Sequence, residues 1–115
     1  MKIEKFEDII AWQKAQILTV EMYRLFSRNK DFGFKDQIQR ASVSVMNNIA
    51  EGFERKTNKE LMLFLYIAKG SCGEVRSMLY IALGLGYITE TDFRKNYDLC
   101  VEISKMLSGF IKSIK

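Results

Sequence analysis

Residues 38–65 read IQRASVSVMNNIAEGFERKTNKELMLFL. Ile38, Ala41, Val45, Ile49 and Phe53 recur at three- and four-residue spacing, the mark of one apolar side of a helix. The pattern stops at Arg55. Thr57-Asn58-Lys59-Glu60 follows, a capping-box sequence in which the Thr57 hydroxyl and the Glu60 carboxylate satisfy free amides at a helix start. A second apolar periodicity then begins at Leu61 and continues through Leu65 and Ala68. Two long helices joined by a link as short as Lys56-Thr57 pack antiparallel.

The same periodicity extends in both directions. Upstream, a helix over about residues 7–28 carries Ala11, Ala15, Leu18, Met22 and Phe26 on one side, with Trp12 and Tyr23 alongside. Asn29 to Gly33 interrupts it and supplies a turn glycine at Gly33. The second helix covers about 35–55 and the third about 58–85, with Gly86 as terminator. Thr89 is a candidate N-cap for a fourth helix over about 90–114. There Phe93, Tyr97, Cys100, Leu107, Ile111 and Ile114 face one way, and Arg94, Lys95, Asp98, Glu102, Lys105 and Lys112 the other. The expected fold is all-α: a single domain, residues 1–115, forming an antiparallel up-and-down four-helix bundle. The chain has no proline, where a usage of roughly 5% is typical, and this permits uninterrupted helices.

Composition narrows the chemistry. There is no histidine, so no histidine base, triad or metal ligand is available. Cys72 and Cys100 show no zinc spacing and read as small core residues. Glu51 and Glu74 are conceivable as an acid/base pair, but Arg40 and Arg55 are at hand to hold them in ion pairs. No phosphate-binding or dinucleotide motif is present. No catalytic, cofactor-binding or metal-ligating residue is therefore expected, and the chain reads as non-enzymatic. The longest apolar run, Leu61 to Ala68, is far short of the roughly 20 residues that span a bilayer. A cytoplasmic protein without a membrane partner is expected. The net charge of +4 is mild, and basic residues form no run.

Two features exceed what an isolated bundle needs. Helix 3 has one apolar stripe of Leu61, Leu65, Ala68, Cys72, Val75, Leu79 and Ala82, and a second of Leu63, Ile67, Met78, Ile81 and Leu85. Gly70, Gly73, Ser77 and Gly84 form a third strip of small residues. Either helix 3 is buried within its own subunit or it meets another; Ile10 and Ile17, off the main stripe of helix 1, favour a homo-oligomer. The other feature is a polar stripe on helix 2: Gln37, Arg40, Ser44, Asn48, Glu51 and Arg55. In an antiparallel hairpin about Lys56 and Thr57, facing residues carry numbers that add to about 115. That sets Arg40 near Glu74, Ser44 near Ser71 and Arg55 near Glu60. The nine residues read as a buried network that fixes register, or as a site for a polar ligand or protein partner. Losing one partner of a buried charge pair costs on the order of 3–5 kcal/mol.

These residues also resemble a known family. Phe6-Glu7-Asp8, Trp12-Gln13-Lys14-Ala15, Phe32-Gly33-Phe34, Gln37-Ile38-Gln39-Arg40-Ala41-Ser42 and, above all, Asn48-Ile49-Ala50-Glu51-Gly52 with Gly70-Ser71-Cys72-Gly73-Glu74 are similar to the bacterial four-helix-bundle family first described from intervening sequences of large-subunit ribosomal RNA genes. The likeness runs through Lys105-Met106-Leu107-Ser108-Gly109-Phe110-Ile111. Lys35 stands where the family often has a Ser or Thr cap, Met46 where proline is frequent, and Gly73 where Leu is common. The resemblance implies a homopentameric ring without enzymatic activity. It also implies kinship with the accessory protein of diversity-generating retroelements, a basic pentameric barrel that contacts a reverse transcriptase and nucleic acid. The ribosomal label of the family reflects genomic setting. The function expected is an oligomeric helical scaffold that binds RNA, DNA or a nucleoprotein partner, with Lys69, Arg76, Arg94, Lys95, Lys105 and Lys112 as phosphate contacts. The alternative is a protein-interaction module with no nucleic-acid role.

Overall fold

The computed structural model describes residues 3–114. It is a four-helix bundle: α1 is Ile10–Leu25, α2 Phe32–Phe53, α3 Asn58–Gly84 and α4 Glu90–Ile114. Each helix packs on the next, and α4 returns to α1. At about 1.5 Å per residue, the 27 residues of α3 extend about 40 Å. The long dimension of the molecule is 43 Å, so α3 alone runs nearly its full length.

The core follows the apolar stripes. Ala15, Leu18, Met22 and Phe26 of the first segment meet Ile38, Val45 and Ile49 of α2, Leu65, Val75 and Leu79 of α3, and Ile103 and Leu107 of α4, all fully buried. Cys72 and Cys100 lie in this core. Buried polar residues are fewer, and the Asn96 side-chain oxygen has no hydrogen-bond partner among the described residues. Thr19 Oγ1 donates to the Ala15 carbonyl at 2.8 Å and lies 3.0 Å from that of Ser42, tying α1 to α2. Asn96, wholly buried within the apolar side of α4, donates to the Asp92 carbonyl.

Helix ends are set by individual side chains. Asp31 accepts from the Phe34 amide and starts α2 at Phe32, three residues before the expected boundary. Gly33 is consequently a helical residue and not the turn glycine, because a side-chain cap is already available at Asp31. The Asp31 carboxylate also accepts the Tyr87 hydroxyl at 2.7 Å, which clamps the α1–α2 loop to the α3–α4 loop. Hydrogen bonding to Asp31 raises the Tyr87 phenol above its ordinary pKa. The first segment also departs from expectation. Phe6–Asp8 forms a separate 3-10 turn, and extended Ile9 divides it from α1. The Gln13 side chain holds this turn through the Glu7 carbonyl.

At the other links the expected devices are in place. Gly86 has φ +72°, and Tyr87 and Gly86 amides bond back to Ala82 and Leu83, a Schellman closure of α3. Thr89 accepts from the Asp92 amide. At the α2–α3 link, Thr57 Oγ1 accepts from the Glu60 amide at 3.1 Å. The Glu60 carboxylate does not complete the capping box; it accepts the Thr57 hydroxyl, with Arg55 3.8 Å away.

The tightest constraint is at Gly52. A Cβ there would lie 2.8 Å from the Phe64 Cβ and 3.3 Å from the Leu61 carbonyl. Only glycine lets α2 and α3 approach this closely beside their link. By contrast, a Cβ at Gly109 in α4 would meet nothing within 4 Å. Gly52→Ala is expected to lower stability by about 1–3 kcal/mol. Gly109→Ala is expected to raise it by roughly 0.5–1 kcal/mol. Urea unfolding midpoints at unchanged slope measure both.

Candidate nucleic-acid interface

Three surfaces surround α3: a polar seam with α2, a cationic and aromatic seam with α4, and an open face between neighbours. The polar seam contains the residues expected of it, in a different state. Ser44 and Ser71 hydroxyls meet at 2.8 Å, and Asn48 donates to the Ser44 carbonyl and hydroxyl. Arg55 binds Glu51 at 2.8 Å and lies 3.8 Å from Glu60. Arg40 does not pair with Glu74. It binds Asp36 one turn away at 2.8 Å, while Glu74 accepts from Gln37 at 3.3 Å. An i,i+4 carboxylate on its own helix is nearer for Arg40 than one across the seam. Nor is the network buried as a whole: Ser44, Asn48 and Ser71 are half-buried, whereas Gln37, Arg40, Glu51, Arg55 and Glu74 are exposed. A shallow hollow at Gly33, Asp36, Gln37, Arg40, Ser44, Ser71 and Glu74 marks its end.

The six candidate phosphate contacts divide. Arg76 on α3 and Arg94 on α4 come together over one aromatic cluster. Phe93 and Tyr97 stack at 5.5 Å, and Tyr80 meets both edge-on, at 5.1 and 5.8 Å. The Arg76 guanidinium lies 5.9 Å from the Tyr97 ring centre, and Arg94 5.4 Å. Polar contact with Tyr97, then desolvation, raise the Tyr80 phenol above its ordinary pKa. Lys69 lies two turns from Arg76 on the same side of α3. Among the described residues, neither Lys69 nor Arg76 is paired with a carboxylate; Arg94 has Asp98 at 3.7 Å. Lys95 lies on the other edge of α4, held by Glu21 at 3.2 Å. Lys105 lines the α1–α4 groove, which the Lys14–Glu102 pair crosses. Lys112 sits in the last turn of α4, away from this cluster.

Beneath the seam, the Cys72 thiol donates to the Cys100 carbonyl at 3.2 Å. Hydrogen bonding to Cys72 and burial push the Cys100 thiol far above its ordinary pKa.

The open face carries the second apolar stripe. Leu63, Ile67, Ile81 and Leu85 are about half exposed, as are Ile10 and Ile17 on α1. Met78 is the exception, buried in the core. A Cβ at Gly70, Gly73 or Gly84 would meet nothing within 4 Å, so among the described residues no other segment packs against them. Within one copy of the chain, α3 is not buried on all sides.

The family model for 23S rRNA-intervening sequence proteins matches residues 7–109. The chain belongs to that family. The match includes all of α1, α2 and α3 and most of α4. A similar solved structure is that of a Bacteroides thetaiotaomicron protein of unknown function from the S23 ribosomal protein family. It has a TM-score of 0.83 and 24% sequence identity, over 89% of this chain and 98% of that one. This likeness shows the shared fold. No curated protein is significantly similar in sequence. In this family member, the feature that sequence reasoning missed is Tyr80. Its i,i+4 spacing from Arg76 was a visible signal, but its aromatic partners lie on another helix.

Because Arg40 is 79% and Asp36 64% exposed in their side chains, Arg40→Ala is expected to cost less than about 1 kcal/mol in thermal unfolding. A buried pair would cost several times that. Cys72 and Cys100 are each 1% exposed. Iodoacetamide at neutral pH is expected to label neither thiol in the native protein and both in denaturant, as read by mass spectrometry.

Proposed function

We propose that this chain is the subunit of a non-enzymatic, oligomeric helical scaffold that binds nucleic acid or a nucleoprotein partner. The observation that carries this reading is the α3–α4 seam, where Lys69 and Arg76 have no carboxylate partner among the described residues and Arg94 joins them from the neighbouring helix. Cations left unpaired on one seam are suited to phosphates, which bind them without sequence reading and release counterions.

Surface features support the oligomeric part of this reading. The apolar residues of α3 and α1 that this chain leaves exposed are of the kind that subunit contacts cover. Gly70 and Gly84, open beside these apolar residues, allow a second copy to come close. A homopentameric ring, which the family resemblance implies, repeats the +4 charge and the seam around its circumference.

Two measurements test the proposal. Multi-angle light scattering at micromolar concentration is expected to return a multiple of the 13.4 kDa chain, five for the ring. Binding to structured RNA and duplex DNA is expected to weaken steeply between about 50 and 200 mM salt, and further on Arg76→Ala. A clean monomer would remove the assembly, and no salt-sensitive binding would remove the nucleic-acid role.

A further inference from the structure

We infer that the α3–α4 seam holds a subsite for an unpaired nucleobase, stacked on Tyr80 with the neighbouring phosphates held by Arg76 and Arg94. The inference rests on the nucleic-acid reading above and deepens it: the ligand class becomes single-stranded, base-bearing nucleic acid.

Three observations converge. Tyr80 is 56% exposed, yet its ring is anchored by T-shaped contacts to Phe93 and Tyr97. Phe93 is itself buried at 4% exposure, so the platform rests on the core and is preorganised. Arg76 and Arg94 lie 5.9 and 5.4 Å from the Tyr97 ring centre, which places their charge beside Tyr80. Arg76 has no carboxylate partner among the described residues, and Arg94 shares its guanidinium with Asp98 at 3.7 Å, which leaves donors of both for phosphate oxygens. Finally, the track continues along α3. Gly73 is the only residue between Arg76 and Lys69 on this strip, and a Cβ there would meet nothing. A backbone can therefore lie close to the helix between the two cations.

This combination selects among ligands. Phosphate binding alone would not require an exposed, anchored ring. Apolar docking alone would not require two arginines over the cluster. A duplex offers phosphates but keeps its base faces stacked inside, whereas an unpaired base offers both a π-face and a charged backbone.

The experiment compares fluorescence anisotropy of labelled oligoadenylate RNA, an abasic oligomer of equal length and a duplex, each against the full chain at fixed low salt. The base-bearing strand is expected to bind more tightly than the abasic one. Tyr80→Leu, which keeps apolar volume on Phe93, is expected to weaken that strand about fivefold to a hundredfold, the loss of one stacked base. It should leave the abasic oligomer unchanged. Tyr80→Phe should retain wild-type affinity, and circular dichroism checks that each variant folds. Equal binding of base-bearing and abasic strands, or equal losses for both on Tyr80→Leu, would overturn the subsite while the scaffold reading stands. Polyglutamate competing as well as oligoadenylate at equal charge would also overturn it, in favour of an acidic protein partner. Failure of every nucleic acid to bind would remove both readings.

Discussion

Gly52 sets how closely α2 and α3 approach, and much of the molecule depends on that distance. With the Phe64 Cβ 2.8 Å from where a Cβ on residue 52 would lie, the two helices are in near-backbone contact beside their link. This proximity brings Ser44 to Ser71 and Gln37 to Glu74 further along the same pair. The Thr57 cap fixes where α3 starts, and the Gly52 contact fixes how it crosses α2. At the far end the Asp31–Tyr87 hydrogen bond ties the remaining two loops together. Apolar burial drives the packing in between, but it is not directional. Register comes from these few close contacts.

Because α3 is held against α2 on one side and α4 on the other, its remaining surface is presented in a defined way. The α2 seam is occupied by small hydroxyls and short-range ion pairs that satisfy themselves. The α4 seam is not self-satisfied: it collects cations over aromatic rings and, among the described residues, leaves two of them without carboxylates. The open face retains branched apolar side chains at helical spacing with exposed glycines beside them. One helix thus supplies register, a charged edge and an apolar edge. This is an economical arrangement for a subunit that works in company.

Much of this was legible in the residues. The core stripes of all four helices, the caps at Thr57 and Thr89 and the left-handed Gly86 were read from spacing and residue type, because each depends on neighbours within one turn. Other features differ from what spacing alone implies. Asp31 outranked Gly33 at the start of α2 because its carboxylate was close enough to cap. Arg40 chose Asp36 over Glu74 because four residues along a helix is nearer than a neighbouring helix. The polar stripe was recognised, but its depth was not, since exposure depends on how far two helices stand apart. Tyr80 went unremarked because Phe93 and Tyr97 reach it only after α3 and α4 pack.

By itself, then, the sequence determined four proline-free amphipathic helices, their caps, the antiparallel hairpin at Lys56-Thr57 and membership of a family whose motif runs through Asn48 to Gly52. These follow from local periodicity and hydrogen bonding, which a chain carries in its order. Only the tertiary structure decided which charges found partners, which apolar residues stayed outside, and that Arg76, Tyr80, Arg94 and Tyr97 share one seam. The physical reason is that ion pairing, exposure and ring contact depend on distances between helices, and packing sets those distances.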